Sequence, residues 1–534
     1  MIMKKYTTIL AVIAAAILGA TSCIKDLEIE PLDDDVVLPA DVLKGVEQFE
    51  QVLAKCYVGL CTSGSWGEGS GDIDGIDNGF GQYIRALFYL QEFPTDEALC
   101  TWDDKTVGDL HFITWTSSDV FIRAMFSRGY FQISMCNELI RQAEASEFKD
   151  DPKIQEYIAE ARALRLLSYY HMVDMFGYKH IPFATEANSV GSVGPAPSED
   201  LVAWMLNEAE ELLATDKLAA IRHAEYGRVD KGFVQMLKAK INLNAPVYLG
   251  LSGSEATPYY ESAAVACKAL VAAYPTLHDK YAELFMSDNN LRNDEIIFGV
   301  EEANGSIQTW GSTQFLVCAT YEDGDTVTAG LLGTSASGWG GLVTTPTFLG
   351  KFDREGDARF MFWGGPNGFP ETLEDPHAFK TGWSGLKYTN MASTGAIYAG
   401  NSFIDTDFPL FRASDAYLML AECWLRGASN VSESEAKAAW NAVRSRAGLQ
   451  NPASYTLDEL LDERGRELYW ECHRRSDLIR FGKFTGSSYL WTWKGGEYSG
   501  VSIDDHFALF PIPAAETNTN SLLGQNPGYA GATE

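Results

Sequence analysis

IQEYIAEARALRLLSYYHMVDMF, residues 154–176, is the stretch that decides the fold class. Ile154, Tyr157, Ile158, Ala161, Leu164, Ser168, Tyr169 and Met172 recur at the spacing of one helix face, with Arg162 and Tyr170 beside that stripe. Asp150, Asp151 and Pro152 stand directly before it, a stop and restart signal, and the preceding Phe121–Ala145 has helical periodicity of its own. Two long helices with a short break between them predict an antiparallel helical hairpin.

Further periodic segments lie on either side. Val42, Val46, Phe49, Val52, Leu53 and Tyr57 mark a helix over about 41–60. Glu199–Leu213, Lys231–Leu249, Tyr259–Ala273, Ser414–Leu425, Ser434–Ala447 and Leu457–Cys472 mark six more. Helices arriving in pairs of this length predict a mainly all-α chain, a tetratricopeptide-like helical-repeat scaffold. Between about Tyr274 and Arg412 the stripes vanish, glycine is frequent, and Trp310, Trp339, Trp363 and Trp383 appear with Tyr321, Tyr388 and Tyr398. A second irregular patch, Gly482–Asp505, carries Trp491 and Trp493. Long irregular insertions in a helical body are functional loop sets or separate modules.

The expected organisation is a signal peptide over 1–22, a tether over 23–40 and a single body over 41–534. Its helical scaffold spans about 41–63, 120–274 and 413–484; its loop-rich parts span 64–119, 275–412 and 485–508. The start has Lys4 and Lys5, an apolar run Ile9–Leu18, the small residues Gly19, Ala20, Thr21 and Ser22, and then Cys23. That order resembles a bacterial lipobox, with Ala20 where leucine is usual, and implies acylation of Cys23. An ordinary secretion signal is the other reading. IKDLEIEPLDDD after the cysteine reads as an acidic, extended tether.

The chain has 534 residues and a formal net charge of −32, from 73 acids and 41 bases. No basic surface for phosphates follows from that balance, which excludes a nucleic-acid partner. Apolar residues make up 46%, and no segment after the leader approaches the ~20 apolar residues of a membrane helix. Nine cysteines are scattered without zinc spacing, which reads as small buried hydrophobes. Eight histidines form no HExxH and no i, i+4 pair.

The stretch Gly64–Asp104 sets Trp66, Tyr83 and Trp102 among glycines, acids and Arg85. A pyranose packs its C–H face on an indole while its hydroxyl rim bonds to charged forks, so this composition suits a sugar site. Tryptophans plugging the core beneath a surface loop is the alternative. Glu463, Glu467 and Glu471, at i, i+4 and i+8, with Arg474, Arg475 and Arg480 beyond them, offer either glycosidase carboxyls or structural ion-pair partners. One helix face does not create opposed carboxyls, which favours ion pairing. In SDNNLRNDE, residues 287–295, Asp288, Asn290 and Asp294 are hard oxygen donors, and Asp288 and Asn290 are the candidates for a structural calcium ion. The spacing is not that of an EF-hand, and a solvated acidic loop is the alternative; no other cofactor is expected.

Three separated signatures stand in order. They are ARALRLLSYYHMVDMFGYKHIPF (161–183), LLDERGRELYWECHRRSDLIRFGKF (460–484) and LFPIPAAETNTNSLLGQNPGY (509–529). With the lipobox they resemble the SusD/RagB family of glycan-binding outer-membrane lipoproteins. The resemblance implies a fold of tetratricopeptide-like units, no catalytic activity, a lipid anchor at Cys23 facing the cell exterior, and a TonB-dependent SusC-like transporter as partner. Acids after the cysteine, Asp26, Glu28 and Glu30, fit the export signal of such lipoproteins. DGIDNGFGQYIRALFYLQEFPTDEALCTW (74–102) and SGWGGLVTT (337–345) are similar to the starch-binding branch. By position they imply that Asp77 and Arg85 bond sugar hydroxyls, that Trp102 and Trp339 stack on rings, that Tyr321 supplies a third aromatic and that Lys105 makes a polar contact. The expected function is capture of starch or malto-oligosaccharides. The same uptake role for another glycan or a glycopeptide, and a surface glycosidase, are the alternatives.

Overall fold

The computed structural model of the protein describes residues 43–64, 67–188, 191–397 and 402–532. The signal peptide, Cys23, the tether, Trp66 and Tyr398 lie outside the described residues. The described residues from Phe49 onward form one unit.

The helices in chain order are α1 (Val46–Cys61), α2 (Tyr83–Glu92), α3 (Lys105–Phe112), α4 (Val120–Ala145), α5 (Pro152–Phe176), α6 (Asp200–Ala214), α7 (Lys231–Leu249) and α8 (Thr257–Ala273). After them come the short α9 (Ser312–Cys318), α10 (Thr326–Leu332) and α11 (Pro346–Leu349). The last are α12 (Ala413–Leu425), α13 (Glu433–Arg446), α14 (Leu457–Leu468), α15 (Arg474–Arg480) and α16 (Ala514–Thr519). Successive helices pack on one another: α4 on α5, α5 on α6, α6 on α7, α7 on α8, α8 on α12 and α12 on α13. This is the layered helical-repeat scaffold expected from the sequence.

Local chemistry sets the boundaries. Asp119 caps α4 by accepting from the N–H groups of Phe121 and Ile122, and Asp151 caps α5 with Pro152 in its first turn. Asp230 caps α7 and Gly250, at φ 68°, closes it. The stripe expected on α5 widens to nearly the whole circumference, because the helix lies at the centre of the packing; Tyr170 is buried and Arg162 is partly exposed.

α14 stops at Leu468, short of the Cys472 that periodicity suggested. Trp470 and Cys472 adopt left-handed φ values of 61° and 64°. Trp470 is held there by donating its N–H to Glu97 Oε2 and its indole N–H to the Glu97 carbonyl, both at 3.1 Å. Glu471 therefore leaves the helix face it was expected to share with Glu463 and Glu467.

Among the described residues six short strands pair in twos. β1 (Leu99–Cys100) is antiparallel to β3 (Leu342–Val343), β2 (Ile296–Val300) to β6 (Phe408–Arg412), and β4 (Phe362–Trp363) to β5 (Ser384–Gly385). All eight described cysteines are buried and free. Among the described residues no helix is long and apolar enough to cross a membrane.

Candidate functional site

Asp77, Asn78, Gly79, Arg85, Trp102, Trp310 and Trp339 line one open depression. They come from four separate segments, brought together by two devices.

The first device is Gln82. Its side-chain oxygen caps α2 by accepting from Arg85 N at 2.8 Å and also accepts from Ser312 N at 3.1 Å. Its amide donates to the carbonyls of Leu60 and Cys61, at 2.7 and 3.1 Å. One buried side chain thus ties the end of α1, the start of α2 and the start of α9. Arg85 lies in the first turn of α2 and Trp310 two residues before α9, so the tie sets them side by side. Arg85 Nη1 donates to the Trp310 carbonyl at 2.7 Å.

The second device is the β1–β3 pair. Leu99 pairs with Val343 and Cys100 with Leu342, and Thr101 N donates to the Gly341 carbonyl at 2.9 Å. Trp102 follows β1 and Trp339 precedes β3, so antiparallel pairing brings the two indoles to the same end. Trp102 Nε1 donates to the Gly340 carbonyl. Gly341 sits at φ 143°, and a Cβ there would meet Trp102 Nε1 at 2.4 Å, so this approach requires glycine.

Arg85 is the centre. Its guanidinium lies 4.5 Å from the Phe315 ring centroid, 5.7 Å from Trp339 and 5.8 Å from Trp102. Its Nε and Nη2 donate to the Tyr89 hydroxyl at 3.1 and 2.9 Å. Burial raises the Tyr89 phenol well above its usual range, which keeps that partner neutral. Every acceptor on Arg85 is uncharged: among the described residues it makes no ion pair. Asp77 Oδ1 accepts from Gly79 N at 2.7 Å and Phe80 N at 3.2 Å, a turn that holds the exposed carboxylate at the rim. Trp310 and Trp339 stand 6.2 Å apart with planes inclined at 62°. The three indoles are half-buried, so the site offers stacking faces at an angle, one fixed guanidinium and one carboxylate.

Of the residues expected from the sequence, the structure gathers Asp77, Arg85, Trp102 and Trp339. Tyr321 is not among them. Its ring is 2% exposed and its hydroxyl donates to the Ala336 carbonyl at 2.5 Å, while its own carbonyl accepts from Gly340 N. It supports the loop of Trp339 from below and presents no stacking face. Lys105 begins α3, its side chain 83% exposed and paired with Asp109, outside the depression. Trp310 takes the third aromatic place. It belongs to the irregular insertion, and nothing in the spacing ties it to Arg85, 225 residues upstream. Gln82, Tyr89 and Phe315 were likewise not picked out, and only Gln82, just before a helix start, carries a local signal.

The calcium candidate Asp288 and the three glutamates are engaged by other groups of the protein. Asp288 accepts from Ser393 N at 2.8 Å and lies 3.5 Å from the Arg292 guanidinium, while Asn290 is exposed. Among the described residues no group of three or more acids, histidines or cysteines is arranged to hold a metal ion. Glu463 contacts Arg359, Arg444 and Arg466; Glu467 contacts Arg359, Arg412 and Arg446; Glu471 contacts Arg412 and Lys387. Burial works to raise the Glu467 carboxyl, and the three arginines outweigh it, holding the group well below the usual carboxylate range. These acids are sealed ion-pair partners with at most 1% exposure.

The fold and the site define a helical-repeat scaffold with an aromatic platform held on its loops. The chain belongs to the SusD family. The SusD family model matches residues 363–529. The chain is 31% identical to the starch-binding protein SusD of Bacteroides thetaiotaomicron, over 97% of this chain and 98% of that one. It is 24% identical to the SusD-like protein P25 of Formosa agariphila, over 75% and 78% respectively. A solved SusD superfamily protein from Parabacteroides distasonis superposes with a TM-score of 0.70 at 21% identity, covering 90% of this chain and 99% of that one. Surface glycan-binding protein A from Bacteroides thetaiotaomicron, solved with laminarihexaose, gives 0.69 at 19% identity with the same coverage.

Proposed function

We propose that this protein is a non-catalytic, cell-surface glycan-binding lipoprotein that captures starch or malto-oligosaccharides. It is anchored in the outer membrane through Cys23 and passes its cargo to a TonB-dependent SusC-like transporter. The observation that carries the reading is the convergence of Trp102, Trp310 and Trp339 on Arg85 and Asp77. Indoles inclined to one another suit the coil of an α-1,4-glucan better than a flat ribbon, since each successive sugar turns a C–H face in a new direction. The starch-binding relative at 31% identity supports the same cargo.

Affinity electrophoresis in starch, with laminarin as the comparison gel, tests the cargo. Retardation by starch, weakened in Trp102→Ala, is the expected result. Retardation by laminarin alone would move the cargo to a β-glucan, and free migration in both gels would remove the glucan reading. Reducing ends released from bound starch would replace the binder with an enzyme. Co-purification of a TonB-dependent barrel with the acylated protein, lost in Cys23→Ala, tests the anchor and the partner.

A further inference from the structure

The chain contains three asparagine–glycine pairs, Asn78–Gly79, Asn304–Gly305 and Asn367–Gly368. In such a pair the glycine backbone nitrogen can attack the asparagine side-chain carbonyl, because no Cβ hinders the approach and the glycine backbone turns freely. Hydrogen bonds to the attacking nitrogen or to the side-chain amide oppose the attack, since each must break before the two groups meet. The three pairs differ on this point.

Asn367–Gly368 is the open one. It closes a turn with Gly365 and Pro366, and Pro366, Asn367 and Gly368 are all exposed. Gly368 N donates to the Gly365 carbonyl at 3.3 Å, a long turn bond. Gly368 sits at φ 68°, and a Cβ there would meet nothing within 4 Å. Among the described residues the Asn367 side chain makes no hydrogen bond.

Asn78–Gly79 lies in the depression with Arg85 and the indoles, and both of its reacting groups are held. Asn78 Nδ2 donates to the Glu68 carbonyl at 2.7 Å, and Gly79 N, the would-be nucleophile, donates to Asp77 Oδ1 at 2.7 Å. Gly79 is buried as well. Asn304–Gly305 is intermediate: Gly305 is exposed, while Asn304 Oδ1 accepts from Phe403 N at 3.3 Å and Asn304 N donates to Asp405 at 2.8 Å.

We propose that Asn367–Gly368 is a self-modification site of the folded protein, and that Asp77 shields Asn78 from the same reaction. The Gly368 nitrogen loses its proton and bonds to Asn367 Cγ; the Cγ–Nδ2 bond breaks, and the side-chain nitrogen leaves as ammonia, taking up a proton in return. Water then opens the succinimide at either carbonyl, giving aspartate or isoaspartate. Overall one water is consumed and one ammonia released, with no oxidant or reductant. At Asn367 the product adds a negative charge to an exposed turn, and isoaspartate lengthens its backbone by one methylene. At Asn78 the same product would set a second carboxylate beside Asp77, so the shield keeps the charge of the depression constant as the protein ages. The inference stands apart from the identity of the cargo.

Peptide mapping by mass spectrometry tests it, on the folded protein and on the urea-unfolded chain, each held at mildly alkaline pH in heavy-oxygen water whose label enters as the ring opens. Asn367 is expected to convert in the folded protein at a rate near that of the unfolded chain, and Asn78 about tenfold or more slowly, the scale of two hydrogen bonds. Asp77→Ala, with helical circular dichroism intact, is expected to speed conversion of Asn78 by about fivefold. Asp77→Asn keeps an acceptor oxygen and is expected to leave Asn78 slow. An Asn367 that stays intact in the folded protein while the unfolded chain converts would overturn the site. Equal rates at Asn78 and Asn367 in wild type, no acceleration in Asp77→Ala, or the same acceleration in both Asp77 variants would overturn the shield.

Discussion

Gln82 and Ser312 are 230 residues apart, and the Ser312 N–H donates to the Gln82 side-chain oxygen at 3.1 Å. That oxygen also caps α2 at Arg85. Gln82→Ala removes the cap and orphans two carbonyls and the Ser312 N–H in the interior. A loss of roughly 2–4 kcal/mol in urea unfolding is expected. Glucan affinity should fall as well, because Arg85 and Trp310 lose their common tether.

Arg85→Lys keeps the charge and loses the planar fork. A lysine cannot bond the Trp310 carbonyl and Tyr89 together while lying against Phe315 and the indoles. Calorimetry should show maltodextrin binding weakened by about 1.5–3 kcal/mol, the range for hydrogen bonds to charged groups. An affinity equal to wild type would mean that the guanidinium geometry is irrelevant to the ligand.

Gly341→Ala places a methyl group 2.4 Å from Trp102 Nε1 on a backbone at φ 143°. The indole must move. Loss of glucan retardation with helical circular dichroism intact is the expected pattern; retention of binding would show that Trp102 does not need its observed position.

Glu92, at the end of α2, accepts from His473 N at 3.0 Å, and its carboxyl lies beside that of Glu97, with which it shares its titration. Burial pushes this carboxyl up to about 8, from 4.5. The folded state holds the proton more tightly than the unfolded chain. The contribution is thus complete below pH 4.5 and is lost as pH rises through about 8. Glu92→Gln should flatten that part of the decline in melting temperature, and parallel profiles for both proteins would contradict the assignment.

Glu467→Gln leaves Arg359, Arg412 and Arg446 short of a buried carboxylate. Destabilisation of about 3–5 kcal/mol is expected, with maltodextrin affinity unchanged in the folded fraction. The same denaturation and titration experiments read both quantities.

The scaffold was largely legible because its boundaries are written locally. α7 runs over Lys231–Leu249 as its periodicity indicated, since Asp230 and Gly250 close its two ends. α2 was invisible for the opposite reason: all ten of its residues are buried, so no polar face alternates with an apolar one. The end of α14 depended on Glu97, more than 350 residues away in sequence, gripping Trp470. The site followed the same division. Trp102 and Trp339 meet through a strand pair of two residues on each side, too short for any pattern, and they were picked out by family resemblance rather than by spacing. Tyr321 matched in type but not in setting, because only the folded chain shows its hydroxyl turned inward to Ala336.

Among the described residues Arg85 makes no ion pair, within a chain whose formal net charge is −32. At long range an acidic polysaccharide is repelled by that field, and a neutral one feels nothing. At contact the guanidinium and the Asp77 carboxylate of the same depression can both meet the hydroxyls of an uncharged sugar. The proposed hold on a neutral glucan should therefore be almost indifferent to added salt.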